Sequence, residues 1–177
     1  MAEILFQGEP IHTIGELPSV GSQAPDFIVT KTDLSEIRLK NYLGHPILIN
    51  IFPSLDTPTC ASAMQRFNEI GLEASDILIL CISADLPFAQ KRFCAMQHLA
   101  NVHPASVFRH PVFGQTYGVT ILDGPLAGLL ARAVLILDQK GKVLYTELVK
   151  EITEEPNYRA ISQVLKNMRD SDHDELT

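Results

Sequence analysis

The chain of 177 residues has no tryptophan, only three cysteines and no Cys-x-x-Cys pair. Three cysteines cannot staple a domain of this length, so its stability must come from an apolar core. They fit an intracellular setting in which thiols stay reduced unless their chemistry is used. The missing Cys-x-x-Cys pair removes the usual signature of dithiol oxidoreductases. Long apolar runs are also absent, and the longest falls well short of a membrane span. Cations are few: 14 Lys and Arg against 21 Asp and Glu, a formal charge of −7. A broad basic surface for nucleic acid is therefore not expected. MAEILFQGEP at the start lacks the basic region and apolar core of a secretory signal, so a cytoplasmic location without membrane attachment is expected.

The chain is organised around Pro53-Ser54-Leu55-Asp56-Thr57-Pro58-Thr59-Cys60. Before it, PILINIF (46–52) is apolar and rich in β-branched residues, as a buried strand should be. Pro53 ends that run because it cannot donate to a sheet ladder. Asp56 and Thr57 can cap the next element, and Pro58 suits a first helical turn. From Cys60 onward the pattern predicts an amphipathic helix closing near Gly71. A cysteine thus stands where a strand hands over to a helix N-terminus.

On either side the pattern is regular. Residues 3–6 and 11–14 predict two short strands around Gly8-Glu9-Pro10, and 27–30 with 36–39 a second hairpin turning near Thr32 and Asp33. DILILCIS (76–83) predicts a second buried strand. A helix follows to about His98, with Asp85 as its expected N-cap and Pro87 in its first turn. A short strand is expected near 106–108 and a helical turn at 113–117. RAVLIL (132–137) and 143–148 predict a hairpin, and Pro156 is expected to open a last helix over 157–170, followed by an acidic tail to 177. Strand–helix–strand units require parallel strands in right-handed crossovers, whereas the late hairpin adds antiparallel ones. The expectation is one α/β domain of thioredoxin-like fold, a mixed central sheet flanked by helices, with an N-terminal β-hairpin.

A lone cysteine is usually a small buried hydrophobe. The placement of Cys60 argues otherwise, because first-turn N–H groups and the helix dipole favour an anion. That effect alone is modest: bringing a thiol pKa down to about 6 raises its thiolate fraction roughly thirtyfold at neutral pH. Fast chemistry needs groups that orient the second reactant and stabilise developing charge. Thr57 can accept and donate at once, or simply cap the helix. Arg132 leads an apolar strand and can hold a thiolate or snorkel to the surface. Pro53 shapes the loop. Cys94 is either a core-packed helix residue or a second thiol able to condense with oxidised Cys60, which requires the Cα atoms to come within about 7 Å. Local unwinding of one or both helices is then expected. Cys81, inside an apolar strand, reads as inert core. Cys94 and His98 lie one turn apart, but no second ligand pair at metal spacing accompanies them.

Pro53-x-x-x-Thr57-x-x-Cys60 resembles the peroxidatic-cysteine signature of the peroxiredoxins. NIFPSLDTPTCA, DLPFAQKRFC, FGQTYGV, DGPLAGLLARAVLILD and EITEEPNY, in this order, resemble the bacterial thiol peroxidase subfamily, an atypical two-cysteine group, over nearly the whole chain. One departure is Val107 in ASVFR, where an acidic residue is expected; it touches the 101–110 loop and bears on substrate shape. The resemblance implies Cys60 as peroxidatic cysteine, Cys94 as resolving cysteine, and an intramolecular Cys60–Cys94 disulfide. It implies that Thr57 and Arg132 hydrogen-bond the thiolate and peroxide oxygens. Hydrogen peroxide and alkyl hydroperoxides are the implied substrates, thioredoxin the reductant, a homodimer the assembly, with no metal or organic cofactor. Composition and pattern alone leave two other readings open, a general thiol–disulfide oxidoreductase and a non-enzymatic redox sensor.

Overall fold

Strand β5 (Ile47–Ile51) is buried along its whole length, which is why its sequence is continuously apolar rather than alternating. It lies near the middle of a seven-stranded sheet ordered β4-β3-β7-β6-β5-β8-β9 in a computed structural model that describes residues 1–176. The other strands are β3 (Ile28–Lys31), β4 (Glu36–Arg38), β6 (Leu78–Ser83), β7 (His103–Ser106), β8 (Ala133–Leu137) and β9 (Val143–Leu148). β5, β6 and β7 run parallel, and antiparallel pairs close both sides: β3 against β7 and β4, β8 against β5 and β9. β1 (Glu3–Phe6) and β2 (Glu9–His12) form a separate hairpin. Gln7 and Gly8 at its turn both have positive φ, the requirement of a two-residue turn that matches strand twist. The mixed thioredoxin-like sheet with its N-terminal hairpin is therefore as expected.

Side-chain alternation divides the core into two layers. Ile47, Ile49, Ile51, Leu80 and Ile82 face one side, beside Phe27, Phe113 and Tyr117, whose rings contact one another. Leu48, Ile79, Cys81, Val134 and Ile136 face the other. That second layer receives Ala63, Met64, Phe67 and Ile70 of helix α1 (Pro58–Glu73), together with Ile161 and Leu165 of helix α4 (Tyr158–Asp174). Helix α2 (Pro87–Met96) rests Phe93 and Cys94 on the same layer. Helix α3 (Val112–Thr116) contributes Phe113 to the first.

Several local expectations shift. The strand expected near 106–108 is β7 at 103–106, and Phe108 lies outside it, exposed. Pro104 concealed it: a proline reads as a strand breaker, yet β3 pairs only with Ala105 and Ser106, so the missing N–H at Pro104 faces no partner there. Residues Leu39–Asn41 form an unanticipated 3₁₀ turn after β4. Asn157, not Pro156, marks the start of α4, its side chain accepting from the Ala160 N–H at 3.1 Å. The helix runs on to Asp174, so residues 170–174 of the expected acidic tail are helical and exposed. The tail's last residue, Thr177, lies outside the described residues.

Candidate active site

The site begins where β5 ends. Phe52 and Pro53 are buried, and the chain then turns through Ser54–Asp56 into α1. Thr57 has extended backbone (φ −97°, ψ 143°) and is the N-cap, with Pro58 at the first helical position. The Cys60 N–H donates to Thr57 Oγ1 at 3.3 Å, and the Thr57 hydroxyl donates to the Ser54 carbonyl at 3.1 Å. Thr57 therefore spends both halves of its hydroxyl on the backbone, and the cap reading of the sequence describes it in this state. Cys60 itself is fully buried.

The guanidinium of Arg132 meets the sulfur. β8 lies antiparallel beside β5 with Ala133 opposite Ile51, so the preceding residue, Arg132, falls at the strand end from which the Cys60 loop departs. Nη2 donates to Cys60 Sγ at 3.3 Å and Nε to the Ile152 carbonyl at 2.9 Å. Arg132 is only 2% exposed, and its Nη1 has no hydrogen-bond partner among the described residues. Of the two readings left open for Arg132, the snorkelled surface residue is thus excluded. A buried cation with an unpaired donor beside a thiol is costly to the fold.

The carbonyl that fixes Arg132 belongs to a loop fastened from two sides. Ile152 N–H donates to the Leu5 carbonyl at 2.9 Å and Leu5 N–H to the Lys150 carbonyl at 2.7 Å, stitching the loop to β1. The Glu151 carboxylate accepts from Gln7 N–H at 3.1 Å and Gly8 N–H at 3.0 Å, the turn of the N-terminal hairpin. These bonds, that from Gly8 foremost, hold the Glu151 carboxyl below its ordinary range. Thr59 Oγ1 donates to the Thr153 carbonyl at 2.8 Å, joining the same loop to the first turn of α1. Sequence reading passed over this loop as a resemblance block; its acidic run offered no local sign of a structural duty.

Asp85 differs from its expected role. Leu86 occupies the N-cap position of α2, with no side-chain cap. The Asp85 carboxylate turns instead toward the Cys60 loop, where it accepts from Ser54 Oγ (2.8 Å), Leu55 N–H (2.9 Å) and Ser83 Oγ (2.7 Å). Three donors converging on one charged acceptor outweigh a single capping bond at a helix end.

Cys94, half-buried on α2, is a free thiol, as are Cys60 and Cys81. Burial pushes the Cys94 thiol up to about 11 and the fully buried Cys81 thiol up to about 12, against an ordinary value of 9.0. Asn50 Nδ2 lies 3.7 Å from the Cys81 sulfur. Cys81 is accordingly an inert core residue. A cavity of about 340 Å³ opens between the Cys60 loop at Leu55 and Asp56 and the α2 face of Ala89, Arg92, Phe93 and Met96. The two cysteine-bearing segments are thus neighbours across a gap. Val107 is buried in the first core layer, its N–H donating to the Ser83 carbonyl at 3.0 Å. Among the described residues no three His, Cys, Asp or Glu side chains cluster as a metal site would need.

The chain resembles known proteins over most of its length. Residues 19–161 match the Redoxin family. Thiol peroxidases of Mycobacterium bovis and Mycobacterium tuberculosis are each 54% identical over 160 residues, spanning 90% of this chain and 96% of theirs. A peroxiredoxin-like protein from Aquifex aeolicus superimposes with a TM-score of 0.88 at 41% identity, covering 94% of this chain and 97% of that one. A thiol peroxidase from Chromobacterium violaceum shares the fold with a TM-score of 0.87 at 23% identity, over 96% of this chain and 98% of that one. The chain therefore belongs to the Redoxin family and, within it, to the bacterial thiol peroxidases.

Proposed function

We propose that this thiol peroxidase works through Cys60 as peroxidatic cysteine and Cys94 as resolving cysteine. The Cys60 thiolate attacks one oxygen of a hydroperoxide; the O–O bond breaks, the alkoxide leaves and takes up a proton, and Cys60 becomes a sulfenic acid. The Cys94 thiolate then attacks that sulfur, water departs, and a Cys60–Cys94 disulfide forms. Thioredoxin returns both thiols by dithiol exchange, so each turnover converts one hydroperoxide and one reduced thioredoxin into alcohol, water and oxidised thioredoxin. The substrates are hydrogen peroxide and alkyl hydroperoxides.

One observation carries this reading. Arg132 brings one N–H to the Cys60 sulfur, and its buried Nη1 has no partner among the described residues. A peroxide oxygen reaching the sulfur would have this guanidinium beside it to receive the charge that shifts onto the leaving oxygen. Thr57 supports the same site, since rotating its hydroxyl from the Ser54 carbonyl gives a second donor. Buried Pro53 supplies no competing N–H.

The whole chain of 177 residues acts as one domain in the cytoplasm, as a homodimer, and needs no metal or organic cofactor; the acidic balance argues against a nucleic-acid partner. Sedimentation velocity on the reduced protein tests the dimer, a monomer refuting it. The chemistry is tested by adding one equivalent of hydrogen peroxide, quenching with a thiol alkylator and mapping peptides by mass spectrometry. A linked Cys60–Cys94 peptide is expected, and none in the Cys60→Ser variant. Oxidation scattered over all three cysteines, or turnover with thioredoxin and its reductase that survives Cys94→Ser, would defeat the assignment.

A further inference from the structure

We propose that Asp85 is a positioning residue that latches the Cys60 loop to the start of the Cys94 helix and so sets the balance between peroxide reduction and disulfide formation. This rests on the roles given to Cys60 and Cys94 above. The latch is a continuous polar chain. On the loop side, Ser54 Oγ and Leu55 N–H donate to the two oxygens of the Asp85 carboxylate. Ser54 is also the residue whose carbonyl receives the Thr57 hydroxyl, so holding Ser54 holds the cap on which the first turn of α1 depends. On the helix side, Ser83 Oγ donates to Asp85 and accepts from Gln90 Nε2 at 3.1 Å. Gln90 is fully buried, donates as well to the Ala105 carbonyl at 2.8 Å, and precedes Cys94 by one helical turn.

Both cysteine segments are thus tied to one carboxylate, and a cavity lies between them. Peroxide reduction needs the tied state, in which Arg132 meets a buried Cys60. Disulfide formation needs the opposite. The Cys60 sulfur is fully enclosed and Cys94 is packed along α2 with a thiol held largely protonated by burial. The segments must therefore part from their packing before the sulfurs can bond. Releasing the latch should slow the first step and speed the second, a split that global unfolding, which slows both, does not produce.

Rapid-quench mass spectrometry of the reduced, full-length protein mixed with hydrogen peroxide measures both rates, by trapping sulfenic acid and disulfide separately. In Asp85→Ala, sulfenic acid should form about threefold more slowly and the disulfide about tenfold faster than in the parent, the loss expected of charge-assisted bonds that order a reactive loop. Over-oxidation to sulfinic acid at excess peroxide should fall with it. Asp85→Asn keeps an acceptor oxygen and should lie between the two. Ser54→Ala cuts a single strand of the latch and should move both rates in the same directions by about threefold or less, which preserves the test if Asp85→Ala does not fold. Both rates falling together, or an unchanged disulfide rate while the parent forms the Cys60–Cys94 bond normally, would overturn the latch alone. No Cys60–Cys94 bond in the parent would overturn the latch together with the assignment beneath it.

Discussion

Arg132 should cost the fold stability, and replacing it with methionine should reveal how much. Arg132 is 2% exposed, and its Nη1 has no hydrogen-bond partner among the described residues. Burying such a cation costs several kcal/mol even after relaxation. Against this, Arg132→Met abandons the Nε bond to the Ile152 carbonyl, and an acceptor left unpaired costs about 1–3 kcal/mol. The methionine stem fills similar space, so little packing is lost. The balance favours the variant by about 2 kcal/mol. The comparison belongs in a Cys60→Ala background, where no sulfur can carry charge for the guanidinium to answer. With a urea slope of about 2 kcal/mol/M, the midpoint of Cys60→Ala/Arg132→Met should lie about 1 M above that of Cys60→Ala at unchanged slope. In the Cys60 protein the same substitution should lower the second-order rate with peroxide by about 10²–10³, the usual effect of removing a donor aimed at developing charge. A midpoint that falls in the Cys60→Ala background would refute the reasoning, since the buried guanidinium would then be a net stabiliser.

Other expectations concern its neighbours. Thr57→Val should destabilise the protein by about 1 kcal/mol through loss of the cap and slow Cys60 oxidation, while Thr57→Ser, an equally good cap, should restore both in urea unfolding and stopped-flow assays. In a Cys60→Ser background, iodoacetamide should modify Cys94 about a hundredfold more slowly at pH 8 than an ordinary cysteine, the rate still climbing above pH 9 toward about 11; a plateau near 9 would contradict its burial. Because that thiol is raised in the packed helix, packing around Cys94 is fully stable below the ordinary value of 9.0 and weakens as pH rises toward 11, and hydrogen exchange of residues 90–98 should quicken there. Glu151 has the opposite sign: its lowered carboxyl stabilises the loop above the ordinary value of 4.5 and loses that effect as pH falls through its depressed range. Glu151→Gln should thus be less stable than the parent near neutrality, the two converging in acid; a constant gap at every pH would show that the charge is not the cause.

The strand, loop and helix around Cys60 were legible because each obeys a local rule: a β-branched run, a proline stop, a threonine cap and a proline at the first turn. Arg132 was legible only as an anomaly, a charge heading an apolar strand. Its depth depends on β8 pairing with β5, a register no local pattern announces. Asp85 shows how a local rule misleads. An Asp two residues before a helical proline reads as a cap, yet its partners Ser54 and Leu55 lie 31 and 30 residues away, and long-range donors outbid the local one. The latch, the Glu151 loop and strand β7 all belong to that class, since each is decided by what tertiary structure brings alongside.

The Arg132–Cys60 contact spans 72 residues, and its guanidinium is steadied by a loop that comes later still and leans on the first hairpin of the chain. Synthesis therefore delivers Cys60 long before the groups that surround its sulfur. A ribosome-bound chain halted before Arg132 carries Cys60 without its guanidinium, and its thiol should react with peroxide no faster than free cysteine. The thiol would then be spared from oxidation until the polypeptide is nearly complete, so that maturation of the enzyme and the onset of its sensitivity coincide.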